Sequence, residues 1–102
     1  MKILTLIVHT DVQQKLSDRL RRMNQVGGYT FSHVEGHGIE SEDEDFVSAH
    51  DEAVGYAPRV RIDLLLQDGD VERVLKTIID GEPSIRGAGF YWVTLVEKGG
   101  QL

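Results

Sequence analysis

The sequence predicts an α+β fold, a ferredoxin-like β-α-β-β-α-β sandwich with a long loop between its second and third strands. Four segments have the short apolar or alternating pattern of strands, and two have apolar residues at helical spacing. Each β-α-β half is too small to bury its sheet face alone, and right-handed crossovers put both helices on the same face. Residues 36–58 stand apart: they carry seven carboxylates, no Lys or Arg and no steady hydrophobic period.

The elements follow in order. Lys2 to Val8, KILTLIV, is a branched apolar run of the length of a buried central strand. Thr10 with Gln13 three residues on is a capping-box pattern that opens a helix. Val12, Leu16, Leu20 and Met23 fall on one face of that helix, and Gly27-Gly28 stops it. Tyr29 to Glu35 reads as the second strand. In the third strand, RVRIDLLLQ, Val60, Ile62, Leu64 and Leu66 alternate with Arg59, Arg61 and Asp63. Asp68-Gly69-Asp70 turns and caps a second helix with Val71, Val74, Leu75, Ile78 and Ile79 as its apolar face. Residues 81–89 form a glycine loop, Phe90 to Glu97 the last strand, and Gly99 to Leu102 a short tail.

A chain of 102 residues with 40% apolar side chains is one globular domain, 1–102. It has no cysteine, so disulfides and thiolate metal sites are excluded. No apolar run approaches the roughly 20 residues needed to span a bilayer, and MKILTLIVH is too short for a signal peptide. The expectation is a cytoplasmic protein that is not membrane-inserted. A net charge of −6 argues against a nucleic-acid partner, which calls for a basic face. No nucleophile lies beside a base in sequence, no P-loop is present, and the carboxylates have little apolar surrounding to shift them, so no enzyme is expected.

With both helices on one sheet face, the other is bare. Phe90, Tyr91 and Trp92 are consecutive, so some of these aromatics point to that face, and a bare apolar face implies oligomerisation. Tyr91 and Trp92 are read as core or subunit-interface residues. A hairpin between the second and third strands needs only a few residues. The long acidic insertion is therefore either a solvated loop or a mobile arm that docks on a partner or orders around a ligand.

Residues around the insertion carry a resemblance. Gly36-His37-Gly38 and Pro58-Arg59-Val60-Arg61-Ile62-Asp63, with the interval between them, and GAGFYWV at 87–93, resemble the loop region and glycine loop of the P-II signal-transduction proteins. The likeness covers nearly the whole chain. It implies a homotrimer with its sheets inward, and a regulator whose long loop presses on a transporter, enzyme or other regulator. It also implies a small effector, such as ATP, ADP or AMP, in clefts between subunits. Carried over by position, Gly38, Thr30, Asp63, Gly87 and Gly89 fall in or beside that cleft, with Arg86 as a phosphate partner. On the loop, Glu42, Asp43, Glu44, Asp45 and Phe46 would face the protein partner.

The match has departures. Phe90 stands where the family has a phosphate-binding Lys, Ile39-Glu40-Ser41 where it has Arg-Gln-Lys, and EKGGQL where its terminal arginines fall. Arg86, Arg59 and Arg61 are the cations left near the cleft. Glu52 stands where nitrogen-sensing relatives carry a modified tyrosine. A ligand less charged than a triphosphate fits these changes better.

A second chemistry is written in HVEGH. His33, Glu35 and His37 alternate, so on a strand they share one face, and two imidazoles with a carboxylate suit Zn²⁺, Ni²⁺, Co²⁺ or Cu²⁺. His50 and Asp51 are further candidate ligands. Alternating polar residues on a solvent-facing strand give the same pattern. GHG with YWV resembles a P-II-like subgroup associated with heavy-metal efflux systems, and the divalent-cation tolerance proteins share the architecture. The alternative function is thus a metal-responsive protein or passive metal buffer. His9 is read as a structural histidine.

Overall fold

The computed structural model describes residues 1–37, 57–85 and 89–102. Strand β1 (Lys2–His9) leads through a 3₁₀ turn at Thr10–Val12 into helix α1 (Gln13–Arg21). Strands β2 (Tyr29–Gly36) and β3 (Ala57–Leu66) follow. A second 3₁₀ turn at Asp68–Asp70 opens helix α2 (Val71–Gly81), and strand β4 (Phe90–Leu95) ends the ordered sequence of elements. The four strands form one antiparallel sheet in the order β2-β3-β1-β4. This is the strand order that a ferredoxin-like sandwich requires, with β1 central as its apolar run predicts.

The core is the layer between the helices and one sheet face. Leu4, Leu6 and Val8 of β1 and Val60, Ile62, Leu64 and Leu66 of β3 meet Val12, Leu16, Leu20 and Met23 beneath α1. They meet Val71, Val74, Leu75 and Ile78 beneath α2, with Ile79 only partly buried. These are the helical faces that the 3.6-residue spacing picks out, and burying each large side chain contributes about 1.5–3 kcal/mol. Tyr29 ties β2 to α1: its hydroxyl lies 3.0 Å from Ser17 Oγ, and its ring meets Phe31 edge-on at 5.3 Å.

Several local expectations are corrected. Thr10 and Gln13 make no capping box; the ring of His9 does the capping, its Nδ1 accepting from the Asp11 backbone N–H at 3.1 Å. His9 is thus the structural histidine that its position implied, and it is buried. Gly27 and Gly28 do not stop α1, which closes at Arg21, with a further turn where Val26 N–H reaches the Met23 carbonyl at 3.1 Å. Asp70 precedes α2 without a side-chain capping bond. Asp68 instead accepts from the Met1 α-ammonium, which holds its carboxyl below the usual carboxylate range.

The boundaries of three segments also shift. Within the segment assigned to a glycine loop, 81–89, Gly81 belongs to α2 and Pro83–Ile85 forms a 3₁₀ turn. β4 stops at Leu95, because Val96 N–H closes onto the Met1 carbonyl at 3.2 Å and the chain then leaves the sheet. Gly36 and Ala57 are the last and first paired residues of β2 and β3. The acidic segment assigned to 36–58 therefore lies, but for its ends, outside the described residues.

β4 differs most from expectation. All six of its residues are exposed, and neither Tyr91 nor Trp92 is a core residue. Being an edge strand, it receives less helix cover than β1. Phe90 pairs with Ile7 and Trp92 with Thr5, which puts both aromatics on the helix-free face; Tyr91 pairs with Leu6 on the other.

Candidate functional site

One lateral row of the helix-free face holds three polar residues and the tryptophan side by side. Thr30 pairs with Asp63, Asp63 with Thr5 and Thr5 with Trp92, so the row crosses all four strands. Directly paired residues share a face, and these four therefore stand side by side. Thr5 Oγ1 donates to Asp63 Oδ1 at 2.7 Å. Arg61, two residues before Asp63 on the same face, donates through Nε to Oδ2 at 3.0 Å and to Oδ1 at 3.3 Å. Its guanidinium carbon lies 5.7 Å from the centre of the Trp92 ring, within cation–π range. Beneath these side chains Thr5 is only 1% exposed, although no helix covers it.

Beside that belt the face exposes large apolar side chains. Leu65 is 41% exposed, Trp92 42% and Phe90 62%. Beside the row, at the β2 end, an open groove of about 500 Å³ is lined by Ile3, Gly27, Gly28, Thr30, Asp63 and Leu65, among others. Two of the candidate ligand residues, Thr30 and Asp63, are thus brought together on its wall. Gly89 is not with them. It lies at the β4 edge, three interstrand steps from Thr30, roughly 14 Å at the usual spacing. Gly38, Arg86 and Gly87 lie outside the described residues.

Gly89 also has a reason to be glycine that owes nothing to phosphate. A Cβ there would fall 2.5 Å from the Ile7 carbonyl oxygen and 3.3 Å from Val8 Cγ1. An apolar cleft of about 250 Å³ opens next to it, between α2 and β4, with Leu75, Ile78, Ile79, Ile85 and Tyr91 in its walls.

At the other end of β3, Arg59 pairs with His9 and with Val34 on the helix-free face, and is 6% exposed where alternation alone would expose it. Its Nη1 donates to the Pro58 carbonyl at 3.3 Å. It is therefore buried at the start of β3, and of the two β3 arginines only Arg61 is open to solvent.

Of the metal candidates, Glu35 and His37 are adjacent, with Glu35 Oε2 3.2 Å from His37 Nε2, and both are exposed. His33 stands on β2 opposite Val60 of β3. Among the described residues no three His, Cys, Asp or Glu side chains are grouped to hold a metal ion. His50 and the partner-facing residues Glu42, Asp43, Glu44, Asp45 and Phe46 lie outside the described residues. No described helix is long and apolar enough to cross a membrane.

Thr5 and Trp92 were not singled out as site residues from sequence, and Arg61 was named only as a cation near the cleft. A lone hydroxyl inside the apolar run KILTLIV is the one signal that marks Thr5, and the sequence alone does not say that Asp63 stands opposite it.

The architecture recurs in a solved protein. The crystal structure of a DUF3240 family protein from Shewanella baltica OS155, at 2.40 Å resolution, superposes with a TM-score of 0.77 at 16% identity. The match covers 99% of this chain and 94% of that one, and at such identity it speaks for the fold alone. The family described as "Protein of unknown function (DUF3240)" matches residues 1–102, and the chain therefore belongs to the DUF3240 family.

Proposed function

We propose that this protein is a P-II-like regulator and not an enzyme: a homotrimer that binds a small effector between copies and acts through residues 36–58 on a partner transporter, enzyme or regulator. The observation that carries the reading is the separation of its candidate ligand residues. Thr30 and Asp63 share a groove wall near one edge of the sheet, while Gly89 sits at the opposite edge. Among the described residues of one chain no pocket brings them together; the β4 edge of a neighbouring copy laid against the β2 side would complete one. The helix-free face, with Leu65, Phe90 and Trp92 exposed, is the apolar surface such an assembly would bury.

The same groove fits the effector class. Its lining combines the apolar side chains of Ile3 and Leu65 with the Thr30 hydroxyl and the Asp63 carboxylate. A flat apolar body with an N–H donor, as in an adenine nucleotide of low charge, matches that combination better than a triphosphate does. Native mass spectrometry of the full chain, with AMP, ADP and ATP added in turn, tests the reading. The expected result is a trimer taking up three nucleotides; a monomer would sink it.

A metal-responsive role in an efflux or tolerance system is the second reading, and the exposed Glu35–His37 pair at 3.2 Å is what favours it. Two groups at that distance would need further ligands from beyond residue 37 or from another copy. In the same experiment, a trimer that ignores nucleotides and gains stoichiometric Zn²⁺ or Ni²⁺ would move the function there.

A further inference from the structure

The row Thr30–Asp63–Thr5–Trp92 runs from the β2 edge of the sheet to the β4 edge, and Arg61 bonds to its second member and lies over its fourth. We propose that it is a relay: occupancy of the groove at Thr30 and Asp63 is transmitted by Arg61 to Trp92 at the far edge. The inference rests on the effector reading of that groove.

The physical argument turns on Asp63. Its carboxylate lines the groove and at the same time anchors Thr5 and Arg61. Among the described residues no other contact fixes the Arg61 guanidinium over Trp92. One carboxylate holds both the Arg61 ion pair and, through it, the stack on Trp92 in register, and in a single copy both are partly exposed. A ligand that presents an amino N–H to Asp63 makes a further charge-assisted hydrogen bond and competes with Arg61 for the same two carboxylate oxygens. It draws the carboxylate toward the groove, lengthens the Arg61 bonds and lets the guanidinium leave the ring. Thr5, buried under the belt on the central strand, keeps its hydroxyl on Asp63 and limits how far the carboxylate can swing. The response is then a change in what covers Trp92, with no movement of the sheet.

Trp92 is the only tryptophan, so its indole N–H gives a single cross-peak in a ¹⁵N-labelled sample of the full chain. AMP is the probe, with its binding measured in parallel by calorimetry. The expected result is that AMP binds and displaces the Trp92 peak in the wild type, whereas Arg61→Gln still binds AMP and its Trp92 peak stays in place. Binding to the wild type without displacement overturns the relay and leaves the effector reading standing. Equal displacement in Arg61→Gln also overturns it, since the ligand would then be touching Trp92 itself. Loss of AMP binding in Arg61→Gln would make Arg61 part of the groove and overturn the relay as well. An absence of AMP binding to the wild type removes the effector reading and the relay with it.

Discussion

A Cβ atom on residue 89 would lie 2.5 Å from the carbonyl oxygen of Ile7, so β4 reaches β1 only because Gly89 has no side chain. The obstructing atom belongs to the backbone of the central strand and cannot rotate away. Gly89→Ala should destabilise the fold by roughly 1–3 kcal/mol, the usual cost of forced overpacking. Thermal unfolding without any ligand checks this. An unchanged melting temperature would return Gly89 to a purely ligand-directed role.

Gly81 makes the opposite case. A Cβ there would meet the Arg19 guanidinium at 2.3 Å, but that group is the far end of a flexible, exposed side chain. Arg19 gives up only a 3.4 Å bond to the Gly81 carbonyl when it moves aside. Gly81 closes α2, and alanine is the better helix former by up to about 1 kcal/mol. Gly81→Ala should therefore be neutral to stabilising in the same melting experiment, and a loss comparable to that of Gly89→Ala would refute the distinction.

Thr5→Val keeps the shape of the buried side chain and removes its bond to Asp63. Asp63 is partly solvated and keeps Arg61, so the loss should be modest, about 1–2 kcal/mol. Denaturant unfolding would read it as a lower midpoint at constant slope. Ile62→Ala, in the same strand but facing the helices, leaves a cavity and should cost about 2–5 kcal/mol.

Phe90→Asp tests the assembly. Phe90 is exposed within the chain, so an aspartate there should leave cooperative unfolding and the circular dichroism spectrum intact. Within the proposed trimer it would place a charge on the covered face and shift the sedimenting species from three copies to one. A trimer that tolerates the change would mean that the copies meet through other surfaces.

The helices were legible because Leu16, Leu20, Val74 and Ile78 repeat at helical spacing, a signal that tertiary packing then reinforces. The start of α1 was not: Thr10 and Gln13 satisfy a local pattern, yet the ring of His9 is already in place on the Asp11 N–H. The belt was harder still. That Arg61 and Asp63 share a face follows from alternation, but that Thr5 and Trp92 complete the row follows from register and strand order, which no local period encodes. Thr30 and Asp63 were named by the family resemblance, and the register of β2 on β3 sets them side by side. Gly89 shows a different limit: a glycine before a strand can serve a ligand or a neighbouring carbonyl, and only the packing tells which.

The strand order sets the timetable of folding. β1 comes first in sequence yet occupies the centre of the sheet, and its partners are β3 and β4, with Lys2 opposite both Leu66 and Leu95. Until those distant segments have been synthesised, its apolar run has no strand to pair with and only α1 to lean on. Such long-range pairing slows folding, because loop-closure entropy is lost before any contact returns it. The nascent chain therefore holds its stickiest segment unpaired until β3 has emerged, and the sheet closes only once β4 has joined it.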